Sequence, residues 1–243
     1  MSTMRRHSWR CALVAALLGL TLGPALASAQ EEAEDEPGLE IGVIGGGGFF
    51  HMNQPNDQPG DTTFLYGSAF AGGGGMFGVS VTYPVIPLLS VGGEVLYGIS
   101  AITGDAEAES FRREITIGQQ SLRITPLVRL NVPLGILRFE VGGGPEFVIT
   151  TSSAIEEIIV GGEAEPPIET EHNFAVYLMT QLGVALDFGR ISIPFTFRAG
   201  WNPGYPDTTA DRFASFQSPD DPGPLTVGVD WYVAGITGVR FEL

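Results

Sequence analysis

Lysine is absent from the 243 residues, and cysteine occurs once, at Cys11. Charge of any kind is scarce: 16% of residues are charged, against about 25% in an average soluble domain. Positive charge is the scarcest, with 12 arginines against 28 acids and a formal net charge of -16. Each shortage excludes a class. A chain without a basic face does not suit nucleic acid, whose phosphates need cations. One cysteine makes neither an internal disulfide nor a multi-thiolate metal site. A mean hydropathy of +0.18 with so little charge is not the composition of a disordered chain. What the chain does have is glycine, 34 residues of it.

The first 29 residues read as a secretory leader. Arg5, Arg6 and Arg10 make a basic start, Cys11 to Leu22 an apolar core, and Ala27-Ser28-Ala29 a small-residue cleavage site. At 12 residues the apolar core is shorter than the roughly 17–25 residues a spanning helix needs. Cleavage after Ala29 removes the only cysteine and three arginines, and takes the formal charge from -16 to -19. The exported chain then has no thiol chemistry of any kind. Residues 30–38 carry Glu31, Glu32, Glu34, Asp35 and Glu36 and read as an acidic N-terminal tail.

From residue 39 onward the apolar residues recur at every second position, the period of a strand. Ile41 and Val43 begin the pattern. Phe77-Val79-Val81-Tyr83 and Phe174-Val176-Leu178 continue it, and Val239-Phe241-Leu243 close it. Eight such segments can be counted. Their connections alternate in length: short at about 84–88, 134–135 and 189–190, long and polar at about 52–67, 101–119, 150–172 and 202–224. Structureless loops beyond about 12–15 residues are uncommon in compact soluble domains. They are routine in membrane barrels, which alternate tight turns with long outer loops.

The two faces of the segments differ in kind. One is apolar and almost uncharged. The other carries Glu94, Arg123, Arg129, Arg138, Glu140, Glu146, Arg198 and Arg240, with Asp187, Asp230 and Glu242, among glycine, serine and threonine. A membrane barrel places its apolar face toward lipid and its polar face in the lumen. Aromatics on the apolar face form two tiers, as the girdles of such barrels do. Tyr83, Phe139, Phe188 and Phe241 lie near the short turns; Phe49, Tyr97, Phe147, Phe174, Trp201 and Trp231 lie near the long loops.

Residues 39–243 resemble the small bacterial outer-membrane β-barrel proteins, the group that includes the membrane domain of outer membrane protein A and outer membrane protein W. The C-terminus Gly238-Val239-Arg240-Phe241-Glu242-Leu243 carries the most specific part of the likeness. The resemblance implies that Gly238, Phe241 and Leu243 form the signal read by the barrel assembly machinery, with Leu243 in place of the commoner terminal aromatic. It also implies an outer-membrane location with lipid as surroundings.

The expected fold is an eight-stranded antiparallel up-and-down transmembrane β-barrel, with ten strands as the alternative if residues 155–160 form an added hairpin arm. A two-residue Leu134-Gly135 turn would pair positions so that Val132 faces Leu137, Arg129 faces Glu140 and Arg123 faces Glu146. An eight-stranded lumen is just wide enough to be filled by side chains. Buried charges there have to neutralise one another. The expectation is therefore a closed structural network of Arg123, Glu146, Arg129, Glu140, Glu94, Arg138, Arg198 and Arg240. Leu127, Tyr177, Met179 and Tyr232 are the inward apolar candidates.

Nothing in the sequence calls for catalysis or a cofactor. Gly73, Gly75 and Gly78 match a dinucleotide fingerprint, but an alternating strand follows them where a helix is needed. His51 and His172 have no zinc spacing, and no serine arrangement makes either a general base. Glu156, Glu157, Glu163, Glu165, Glu169 and Glu171 make the third long loop acidic. Such carboxylates are candidate contacts for divalent cations, with a solvated loop as the plainer reading. The expected function is a non-catalytic envelope protein presenting acidic loops for structure or surface interaction. The alternative is a passive channel for small apolar solutes.

Overall fold

The computed structural model describes residues 38–52, 70–108, 111–160, 163–165, 168–169, 174–204 and 228–243; for 105–113, 115 and 155–169 it describes only the backbone. The leader expected over 1–29, nearly all of the acidic tail, His172 and most of the first and fourth long loops lie outside the described residues.

Eight long strands form the wall: β1 (Glu40–Met52), β2 (Phe70–Ile86), β3 (Leu89–Ala108), β4 (Phe111–Leu134), β5 (Leu137–Val160), β8 (Phe174–Phe188), β9 (Ile191–Trp201) and β10 (Trp231–Glu242). Two short strands, β6 (Glu163–Glu165) and β7 (Ile168–Glu169), fall between β5 and β8. Each wall strand pairs antiparallel with the next, and β1 pairs with β10, closing the sheet into a barrel. Closure removes the unpaired edges that an open sheet would carry. The cross-strand path from Leu130 runs through Val141, Leu182, Phe197, Gly235, Gly47, Gly75 and Ile99, and returns to β4 at Gln120. The return is ten residues from the start (130 to 120), which is the stagger of the barrel. Such stagger requires strands tilted by roughly 35–45°.

Burial follows the period of two. In β9 the residues alternate from Ile191, exposed, to Ser192, buried, and so on to Trp201, exposed. The exposed set is apolar: Val43, Phe77, Val95, Val128, Phe197 and their like ring the outside. The buried set faces the lumen.

Two of the three short turns come from glycine, the third being Pro87-Leu88. Gly135 (φ 70°) and Gly189 (φ 64°) each take the first position of a two-residue turn, between Leu134 and Leu137 and between Phe188 and Ile191. Positive φ at the first position only is the type II′ hairpin turn. The first turn therefore uses Gly135-Ile136, not Leu134-Gly135. The expected turn would have placed Leu134 where positive φ is needed, which its Cβ opposes. The register shifts by two residues as a result: Val132 faces Phe139, Arg129 faces Gly142 and Arg123 faces Val148. A shift of two keeps every side chain on its face.

Two expected loops are largely strand. β3 and β4 pair out to Ala108 and Phe111, and β5 continues to Val160. The sequence along this stretch is polar at positions of both parities, and Thr103 and Thr116 bring their hydroxyls to 3.1 Å across the strands. The backbone ladder does not require alternation; alternation only marks where two different surroundings face the two sides. Strands β6 and β7 pair back onto this extension of β5. They form the added arm of the ten-strand alternative, while the barrel itself closes with eight strands.

Candidate functional site in the lumen

The inward positions divide the lumen into two halves. Toward the turn end lie Glu94, Arg129, Glu140, Arg198 and Arg240, all buried, with Arg138 partly exposed at the mouth. Toward the loop end lie Ile44, Phe50, Met52, Phe70, Met76, Leu96, Ile102 and Ile117, in one packed cluster. The change occurs between successive inward positions of β3, Glu94 and Leu96.

The charged half is tied across the barrel. Arg198 on β9 donates to Glu94 on β3, four strands away around the wall, and at 3.0 Å to Gln181. Arg138 on β5 donates to Glu40 on β1 at 2.7 Å, again from opposite sides. Arg240 donates to Glu140 at 2.6 Å. Arg138 lies 3.4 Å from both Glu140 and Asp187. Arg129 is held more loosely, 3.6 Å from Glu94 and 3.7 Å from Glu140. Five arginines meet five carboxylates here and at the boundary pair below, so the charge of the network sums to zero.

At the boundary, Arg123 donates to Glu146 at 2.9 Å, with side chains 3% and 0% exposed. Three rings surround its guanidinium, with centroids at 4.7 Å (Tyr232), 5.5 Å (Phe50) and 5.7 Å (Tyr177). Cation–π attraction is strengthened where water is excluded. The Tyr232 hydroxyl donates to Glu146 at 2.8 Å, and that of Tyr177 to the Val229 carbonyl at 2.5 Å. Glycine makes this packing fit. A Cβ on Gly200 would lie 2.1 Å from the Tyr232 ring, and one on Gly74 2.7 Å from the Phe50 ring.

Of the residues singled out in the sequence, all eight of the charged set line this interior. Arg123–Glu146 and Arg129–Glu140 are brought together although neither pair is directly opposite, because arginine reaches the diagonal neighbour in an antiparallel ladder. Leu127, Tyr177, Met179 and Tyr232 are buried inside as well. Gly238 faces Ile44, and a Cβ there would lie 2.1 Å from the Val43 carbonyl oxygen. Phe241 points outward, and the Leu243 amide donates to the Leu39 carbonyl at 3.0 Å. Tyr83, Phe139, Phe188 and Trp201 are exposed on the outer wall. Tyr97 packs edge-on to Phe77 and Phe147 stacks with Phe174. Trp231 stacks on His51 at 4.9 Å. The acidic side chains of the third long loop are outside the described set.

Apart from Tyr177 and Tyr232, the apolar half escaped the sequence reading. Phe50, Met52, Met76, Leu96 and Ile102 sit at positions of inward parity, and counting parity along each strand would have found them. Glycines along the same strands, at 46, 48, 74, 98 and 104, dilute the local hydropathy and hide the pattern.

No family model matches the chain, and no curated protein matches it. Solved structures do resemble it. The outer membrane protein OprG from Pseudomonas aeruginosa is 12% identical, over 86% of this chain and 97% of that one, with a TM-score of 0.40. Neisserial surface protein A is 8% identical, over 84% and 96%, with a TM-score of 0.34. The N-terminal β-barrel domain of Pseudomonas aeruginosa OprF is 8% identical, over 83% and 97%, with a TM-score of 0.32. Likeness at this level carries no functional argument.

Proposed function

We propose that the chain is an integral outer-membrane β-barrel of a Gram-negative envelope, exported by the leader at 1–29. In this reading it is non-catalytic and holds its acidic loops outside for envelope structure or surface interaction. The observation that carries this is the inverted polarity of the barrel. Val43 is 67% exposed and Phe77 59% exposed on the outer wall, while Glu146 and Arg198 are 0% exposed within. A water-soluble protein rarely leaves an apolar patch beyond a few hundred Å². Hydrocarbon is the surroundings in which this wall is stable, and closed strands satisfy the wall amides there.

The filled lumen supports a structural role over a conduit. Crossbars from opposite sides and the ring-clad Arg123 occupy the width a solute would need. Gly238, Phe241 and Leu243 are proposed as the assembly signal, and Tyr83, Phe139, Phe188, Tyr97, Phe147, Trp201 and Trp231 as interfacial anchors. Divalent cations at the acidic loops are a proposed contact. Two measurements test the reading. The protein should fractionate with the outer membrane and lose its loops, but not its strands, to external protease. In planar bilayers it should carry no steady current. A soluble fraction would overturn the location, and a stable open conductance the closed lumen.

A further inference from the structure

We infer that the turn-end half of the lumen is a hydrated blind chamber, open to solvent at the turns and sealed at its inner end by Arg123 and its rings. The first observation is the placing of orphaned polar atoms. Among the described residues, Nε and Nη2 of Arg129, Nε and Nη1 of Arg198, Nε2 of Gln181 and Oγ1 of Thr125 are buried without a hydrogen-bond partner. Twelve of the sixteen such atoms lie in the charged half, two in the Arg123–Glu146 pair, and two, His51 Nδ1 and Ser153 Oγ, toward the loops. Buried donors in native proteins are satisfied by protein or by ordered water. Arg129 points the same way: its contacts at 3.4, 3.6 and 3.7 Å are too long for good direct bonds. Contacts of that length invite a bridging water.

The second observation is an entrance. A cavity of about 120 Å³ opens at the turn end between Glu40, Arg138, Asp187, Ser192, Arg240 and Glu242. It has room for several waters, and two of its walls, Arg138 and Arg240, are paired with Glu140 on the chamber side. The third is the lid. Above Glu94 the next inward residue is Leu96, and Met76 and Ile44 belong to the same apolar cluster. The Arg123–Glu146 pair, closed over by Tyr232, Phe50 and Tyr177, is the last ion pair before this apolar half. Water and small ions thus reach Glu94 and Arg198 from one side only, whatever the loops bind.

Because Cys11 is the only cysteine, a Cys11→Ser chain is a blank background for single thiols. Thr125→Cys and Ser80→Cys each place one small thiol in the chamber, and Leu96→Cys places one in the seal, opposite Arg123. Silver ion, a small thiol-reactive cation, is applied to one side of vesicles carrying the full barrel inserted in one direction. Thiols left unreacted are counted with a maleimide after denaturation, and circular dichroism confirms each barrel is folded. Silver at the turn end should consume both chamber thiols, and silver at the loop end should leave them intact. The Leu96→Cys thiol should survive both. Equal loss from either side would overturn the seal, and survival of both chamber thiols from the turn end would overturn the hydrated chamber.

Discussion

The two halves of the lumen solve the same problem with opposite chemistry. Both must fill a space that strand number and stagger have already set. The turn-end half fills it with arginine and carboxylate, and its ties run across the barrel from β9 to β3 and from β5 to β1. The loop-end half fills it with rings and aliphatic chains, seated where inward glycines leave the wall bare. The charged half therefore depends on partners far apart in sequence. The apolar half depends on volume. A fault in the first leaves an uncompensated charge, and a fault in the second leaves a cavity.

Three substitutions put that contrast to the test. The largest effect is expected from Glu94→Gln, which strips Arg198 and Arg129 of a shared carboxylate. Breaking a buried pair costs about 3–5 kcal/mol, read as a fall in the urea midpoint of the barrel in lipid vesicles. A Glu94→Gln midpoint equal to wild type would show the crossbar to be dispensable.

Leu96→Ala, one inward position along the same strand, is next. A cavity in a packed core costs about 2–5 kcal/mol, and flexible methionines such as Met76 in the same cluster place this one toward the lower end. The signature that separates it from Glu94→Gln is rescue: a small apolar solute that fills the cavity should recover stability for Leu96→Ala alone. Rescue of both variants, or of neither, would erase the distinction between the halves. The smallest effect is expected at the boundary, from Tyr232→Phe. The ring stays over Arg123 while the hydroxyl to Glu146 is lost. A hydrogen bond to a charged group is worth about 1.5–3 kcal/mol. A loss as large as that of Glu94→Gln would mean that the rings contribute little to the clamp.

Much of the wall was legible in the order of residues. Ile41, Val43, Phe77, Val79 and Val81 announced their outward parity because lipid-side positions admit little else. The eight members of the charged set were legible for the converse reason, as charges on the face opposite to that apolar one. The partners were not legible. Arg198 and Glu94 are 104 residues apart, and no hairpin register relates them. The Gly135 turn shows a finer limit: Leu134-Gly135 and Gly135-Ile136 are both two-residue turns containing glycine, and only the backbone decides which position takes positive φ. The strand extensions past Ala101 and Thr150 were hidden because their two faces meet the same surroundings, so nothing forces alternation there.

The sequence by itself determined the period, the face of each residue, the neutrality of the interior and the acidity of the parts between strands, since these are local properties of residue type and order. Tertiary closure decided the rest. Joining β10 to β1 with a stagger of ten residues brings distant strands face to face across a narrow bore. That geometry alone decides which arginine meets which carboxylate, and where the charged half of the lumen gives way to the apolar one.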